Sequence, residues 1–230
     1  MDIPRERNIY GRRSGRPLKD IQKKRLEELL PQVAITLPET NHSLDPKPLF
    51  DPSVQEVWLE IGIGGGEHLA YQARHNPTVG LIGAEFFING IAKTLAYVDE
   101  ENLSNIRLQH GDARELLDAL KDDCLDRAFI LFPDPWRKRR HNFRRIVNLE
   151  TLNHMVRILK VGSELRIATD HFDYLTWILR FCQQHPNLEW HAENRSNWID
   201  PPKDWITTRY QEKAIREGRV PAFLSYKIVK

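Results

Sequence analysis

From residue 57 onward the chain alternates short apolar runs with stretches of helical period, and this alternation restricts the fold more than any other feature. Strands are predicted at 57–61, 80–84, 106–109, 126–132 and 164–168, with helices at 67–75, 89–99, 113–120, 145–159 and 173–184. A strand followed by a helix, repeated in this way, predicts an α/β fold with a mostly parallel sheet and helices on both faces. The run at 126–132, D-R-A-F-I-L-F, is wholly apolar at its end, which places it in the centre of the sheet, covered on both sides. Two late strands, at 188–192 and 222–229 with a helix at 208–217 between them, complete a seven-stranded sheet and close one edge as an antiparallel pair. Ligands of such sheets bind at the carboxyl ends of the strands, so the loops there are where chemistry is expected.

Ahead of the alternation the chain changes character. Residues 38–52 are rich in Pro, Asp and Ser and read as an irregular connection, preceded by a short helix at 20–30. The expected organisation is a basic, partly flexible arm with its helix over 1–37 and a single domain over 38–230; 230 residues suffice for one well-buried domain. The formal net charge of +2 conceals a segregation. Arg5, Arg7, Arg12, Arg13, Arg16, Lys19, Lys23, Lys24 and Arg25 crowd the first segment, and Arg137, Lys138, Arg139, Arg140, Arg144 and Arg145 a second, leaving the remainder acidic. Two such patches are what a polyanion-binding surface requires, since each cation near a phosphate releases a counterion. Cys124 and Cys182 lie far apart without metal-ligand spacing and are expected to be small buried hydrophobes in a reducing compartment. No run approaches the length of a membrane helix and the N-terminus lacks the apolar core of a secretory signal, so a cytoplasmic protein is expected. Neither a metal site nor a partner protein is called for, and a monomer or homodimer is expected.

The first strand runs into E-I-G-I-G-G-G-E at 60–67. Glycines let a turn approach a ligand closely, but dinucleotide enzymes use such a loop too. Here G-x-G-x-x-G fails at its last position, where Glu67 stands, and a carboxylate at a helix start repels a pyrophosphate. S-adenosylmethionine carries no phosphate and is cationic at its sulfonium and amino groups, so it suits an acidic loop better. Gly62 and Gly64 shape the loop, and Glu60 is placed to face the cationic end. Glu85 ends the second strand, where an acid accepts hydrogen bonds from ribose hydroxyls. Asp112 follows the third and is placed to accept the amino group of an adenine, although it also fits the N-cap of the next helix.

The most informative stretch follows the fourth strand: F-P-D-P-W-R-K-R-R-H-N-F-R-R at 132–145. Two prolines stiffen the backbone around Asp134, Trp136 offers a flat face for a base, and the basic run suits a phosphate backbone. With this motif the chain resembles the tRNA (guanine-N7)-methyltransferase family, of the Rossmann-like class I methyltransferase fold. The matching motifs are EIGIGGG at 60–66, GAE at 83–85, GDA at 111–113, PDPW and its basic tail at 133–145, and ATD at 168–170. The resemblance implies methyl transfer from S-adenosylmethionine to N7 of a guanine in the variable loop of tRNA. It implies cofactor roles for Glu60, Gly62, Gly64, Glu85 and Asp112, and an active-site role for Asp134. It also implies tRNA-contacting roles for Lys138, Asp170, Thr208, Arg209, Tyr210 and Gln211. The family motif usually ends in Glu where this chain has Gln211, and a carboxamide cannot offer two acceptors. Three other readings compete. A methyltransferase acting on an exocyclic amine would use [D/N]-P-P-aromatic, whereas one proline separates Asp134 from Trp136. A nicotinamide-dependent reductase is disfavoured by Glu67, and a non-catalytic RNA-binding protein by the intact acids at 60, 85, 112 and 134.

Overall fold

The computed structural model describes residues 8–38 and 43–230. Arg5 and Arg7 of the basic arm, and residues 39–42 of the irregular connection, lie outside the described residues. Helices α1 (Asp20–Glu28) and α2 (Leu30–Val33) precede the first strand, β1 (Glu56–Ile61). The alternation then runs through α3 (Glu67–His75), β2 (Val79–Glu85), α4 (Ile88–Glu100), β3 (Ile106–His110), α5 (Ala113–Ala119) and β4 (Leu125–Leu131). It continues with α6 (Leu149–Ile158), β5 (Leu159–Thr169), α7 (Phe172–Gln184) and β6 (Leu188–Trp190). The short α8 (Ser196–Ile199), α9 (Arg209–Arg216) and β7 (Ala222–Ile228) complete the chain.

The strands form one sheet in the order β3-β2-β1-β4-β5-β7-β6. β1 to β5 are mutually parallel, and β7 runs antiparallel to both β5 and β6, as the late strands predicted. Strand alternation divides the core in two. Val57, Leu59, Ile61, Ala128 and Ile130 face α5, α6 and α7, where Leu116, Leu152 and Tyr174 are buried. Trp58, Leu81, Phe129 and Leu131 face α3 and α4, against Leu69, Ile91 and Leu95. The strand order reverses between β1 and β4, so the loops leaving these two strands diverge and open a crevice at their carboxyl ends. No helix of the described residues is long and apolar enough to cross a membrane.

Two elements depart from the sequence reading. The helix expected over 145–159 starts only at Leu149, because Asn148 caps it by accepting the Thr151 amide (3.0 Å). Ahead of it residues Arg139–Arg144 wind as a 3₁₀ turn. The strand expected over 164–168 begins already at Leu159, directly at the end of α6, and accommodates its long run with a register shift against β4. At the other end of the chain, α1 is fastened to α4 by Arg25, which donates to Asp99 (2.8 Å) and Glu100 (2.9 Å). Val33 and Ile35 are buried, and the Ile35 amide donates to the Leu108 carbonyl, so this stretch packs into the core.

Candidate active site

The crevice between β1 and β4 holds a cleft of two lobes, of about 240 and 710 Å³. Gly62, Glu85, Phe86, Pro133, Asp134, Trp136 and Tyr10 line both lobes. Asp112 and Arg114 belong to the smaller lobe, Gly64 and Tyr210 to the larger. The sequence-predicted Gly62, Gly64, Glu85, Asp112, Asp134 and Tyr210 are therefore brought together, from the ends of β1, β2, β3 and β4 and from α9.

The loop after β1 is built to be approached. Gly64 has φ +58°, and a Cβ there would come within 2.7 Å of the Tyr210 ring. Glu85 braces this loop: Oε2 accepts the Gly64 amide (2.8 Å) and Oε1 the Phe87 amide (2.8 Å). Burial nevertheless pushes the Glu85 carboxyl above its ordinary range. Asp112 serves two purposes at once. It caps α5 by accepting the Arg114 amide (3.0 Å), pairs with the Arg114 side chain, and still lines the smaller lobe. Glu60 stands on the α3 side of β1, buried, and accepts from His68 Nδ1 (2.7 Å). It borders a small adjoining cavity with Gly62, Thr208 and Tyr210.

Asp134 is exposed between the lobes, on a loop whose backbone takes left-handed dihedrals at Phe132 (φ +49°) and Trp136 (φ +44°). Two such residues bracketing Pro133 and Pro135 hold the loop in a sparsely populated conformation, as functional loops often are. The basic run behind it divides. Lys138, Arg139 and Arg140 are exposed, but Arg145 is fully buried. Arg145 donates to the Pro135 carbonyl (2.9 Å), pairs with Asp173 and lies over Tyr174 and Trp177, so its charge anchors the loop and is withdrawn from any phosphate.

The predicted C-terminal residues are spread more widely. Thr208 caps α9, Tyr210 rests on the glycine loop, and Arg209 pairs with Glu67. Gln211 is buried, and its Oε1 accepts the Trp205 indole N–H (2.6 Å), which makes it a strut beneath α9. Asp170 accepts from Arg219 (2.7 Å) beside a separate depression lined by His171, Phe172 and Val220.

Sequence reasoning missed the arm's place in the cleft. The Tyr10 ring stands edge-on to Trp136 (6.3 Å) and Phe143 (5.5 Å), and the Arg144 guanidinium lies 4.4 Å from its centroid. The arm is further held to α4, where the Ile88 amide donates to Arg13 and Asn89 bonds Gly15 and Arg16. Only the pairing of aromatic and basic residues in N-I-Y-G-R-R hinted at this contact.

A mostly parallel sheet with an antiparallel β7, a glycine loop after β1 and acids at successive strand ends together define a methyltransferase. A family model described as "Putative methyltransferase" matches residues 54–223. The tRNA (guanine-N(7)-)-methyltransferase of Rhodospirillum rubrum is 46% identical over 223 residues, 95% of this chain and 87% of that protein. That of Roseobacter denitrificans is 45% identical, covering 96% of this chain and 95% of its own length. The chain belongs to the tRNA (guanine-N7)-methyltransferase family. The fold is also that of an rRNA methylase from Streptococcus thermophilus, with a TM-score of 0.53 at 13% identity over 76% of this chain and 88% of the other.

Proposed function

We propose that this chain, in the cytoplasm, transfers a methyl group from S-adenosylmethionine to N7 of a guanine in the variable loop of tRNA. One observation carries the reading: Asp134 projects on a stiffened loop between two lobes, one bordered by acids suited to a nucleoside, the other lined by aromatic residues and by Arg12 of the basic arm. The donor set fits a cationic, phosphate-free cofactor, since Glu60, Glu67, Glu85 and Asp112 all stand around the glycine loop. Glu85 is placed for the ribose hydroxyls, Asp112 for the adenine, the backbone of Gly62 and Gly64 for close approach, and Glu60 for the ammonium group. When bound, the sulfonium supplies an electrophilic methyl.

Guanine N7 has a free lone pair, so no proton has to be removed before attack. The product ring is cationic, and the site must therefore supply alignment and a negative field. Asp134 does this by accepting from the guanine N1–H and exocyclic amine, or by offsetting the developing charge. Lys138 and its neighbours face the phosphates or the guanine O6 edge. Thr208, Arg209 and Tyr210 at the start of α9 and Asp170 after β5 are read as tRNA contacts, with Gln211 acting from below. Residues 38–230 work as one catalytic domain, and the exposed Arg12, Arg13 and Arg16 extend its basic surface along the arm. The test is transfer of labelled methyl to unmodified tRNA, mapped by borohydride–aniline cleavage at 7-methylguanosine. A single cut in the variable loop is expected. Methylation without cleavage moves the target to another atom, and no methylation removes the enzymatic reading.

A further inference from the structure

Beneath the glycine loop lies a largely buried polar chain, of which the proposed chemistry uses only Glu60. Asn76 Nδ2 donates to Gln72 Oε1 (3.2 Å), which fixes the orientation of the Gln72 amide. Its nitrogen then faces two acceptors, the Asp204 carbonyl (2.8 Å) and His68 Nε2 (3.2 Å), one hydrogen for each. Because an amide nitrogen only donates, His68 Nε2 accepts and the imidazole carries its proton on Nδ1. Nδ1 stands 2.7 Å from Glu60 Oε2. His68, Gln72 and Glu60 are all buried, and the imidazole is clamped between Phe129 (4.8 Å between centroids) and Trp205 (5.5 Å). An imidazole held in this tautomer is neutral, so it orients the carboxylate without cancelling its charge. Glu60 then borders a cavity of about 10 Å³, with Gly62 linking it to the main cleft.

We propose that His68 is a positioning residue, which aims the Glu60 carboxylate at the ammonium group of the methyl donor and leaves its negative charge for that cation. The inference rests on the cofactor reading above and adds to it a reason for a histidine at the second residue of α3. Through Gln72 the same chain ends on the Asp204 backbone, one residue before Trp205, whose indole holds Gln211 beneath α9. Glu60 is thus aimed by a strut that also supports the segment packed over the glycine loop.

The experiment is calorimetric binding of two nucleosides to the whole chain: S-adenosylhomocysteine, which has the ammonium group, and 5′-methylthioadenosine, which lacks it. His68→Leu, which fills the space without a donor, is expected to weaken S-adenosylhomocysteine about tenfold and methylthioadenosine less than about twofold. His68→Asn places an amide N–H near the Nδ1 position and is expected to restore S-adenosylhomocysteine to within about threefold of wild type. His68→Gln carries its N–H too far from Glu60 and should behave like Leu; if the Leu variant does not fold, Asn against Gln decides the matter. Equal weakening of both nucleosides, or a Leu variant that binds as well as wild type, would mean that His68 only fills space and would overturn the proposal. Wild-type protein that binds neither nucleoside would sink the cofactor reading itself, an outcome distinct from a normal wild type with silent variants.

Discussion

Glu60 and Glu164 are both strand glutamates tied to the segment around Asp204, the first buried and the second half-buried, yet their charges are treated in opposite ways. Glu164 accepts from Arg127 (2.6 Å), Arg166 (3.2 Å) and the Ser225 hydroxyl (2.7 Å). Asp204 accepts from the same two arginines, at 2.8 Å each. Two carboxylates face two guanidiniums, which in turn lie over Phe129. Burial pushes both carboxyls up, but Arg166 and Arg127 outweigh it and hold them below their ordinary ranges. Among the described residues Glu60 is met by His68 alone and Glu85 accepts from backbone amides; for Glu85 burial wins and the carboxyl is raised. Charge is balanced where it holds the sheet to the 200–208 segment. It is left open around the cleft, where the proposed function has a cationic ligand and a cationic product to meet.

Removing an open charge should cost turnover and spare the fold; removing a balanced one should do the reverse. The largest effect is expected for Asp134→Ala, a loss of about 10³-fold in methyl transfer with an unchanged denaturation midpoint. Near-normal single-turnover rates would take Asp134 out of the mechanism and break the comparison at its most important point. Arg166→Leu is expected to destabilise the protein by about 2–3 kcal/mol in urea unfolding, less than for a fully buried pair because the Asp204 side chain is 39% exposed. Its affinity for S-adenosylhomocysteine should stay within about twofold of wild type. A fall in affinity as large as the fall in stability would show that the two networks are one.

Acid separates them further. Glu164 and Asp204 have depressed carboxyls, so their stabilisation is present above the ordinary carboxylate range and is lost only as the pH falls through their lower, folded values. Glu85 has a raised carboxyl; if it accepts both ribose hydroxyls, as proposed, it does so best when ionised, and cofactor affinity should begin to fall while the pH is still above the ordinary glutamate range. Its own contribution to folding has the opposite sign: the folded state favours the protonated form, and stability gains slightly as the pH falls through that window. Binding titrations and unfolding midpoints measured across the same pH series should therefore show cofactor loss before unfolding. Coincident transitions would mean that the acids around the cleft are structural.

How much of this was legible in the sequence follows from the range of the interactions. Strand and helix order, the central place of β4 and the antiparallel β7 could be read because apolar periodicity is local. The strand-end acids and PDPW were legible because the fold rule that places ligands there is general. The fate of each side chain was not, since it depends on partners distant in sequence. Nothing near Gln211 announces that Trp205 occupies its carbonyl, nor does Arg145 reveal that Asp173 and Tyr174 draw it inward. Tyr10 reaches Trp136 across more than half the chain. The late start of α6 was a local signal overlooked: Asn148 is a strong N-cap, and the basic residues before it mask the change of period.

The smallest expected effect sharpens the comparison on the basic side, where Lys138 is open and Arg145 is closed. Lys138 is exposed and immediately precedes the 3₁₀ turn of the basic loop, seven residues before a guanidinium that is 1% exposed. If Lys138 meets a phosphate, Lys138→Ala should lower the slope of log affinity for tRNA against log salt by about one while leaving stability within about 0.5 kcal/mol. Arg145→Lys keeps the charge but cannot reproduce the planar stack over Tyr174 and Trp177 together with the bonds to Asp173 and Pro135. It should leave the salt slope intact and lower affinity through a loosened loop, visible as faster proteolysis at 137–144. An unchanged slope in the Lys138 variant together with a reduced one in the Arg145 variant would reverse the assignment, and would mean that the buried guanidinium swings out to tRNA when the loop binds.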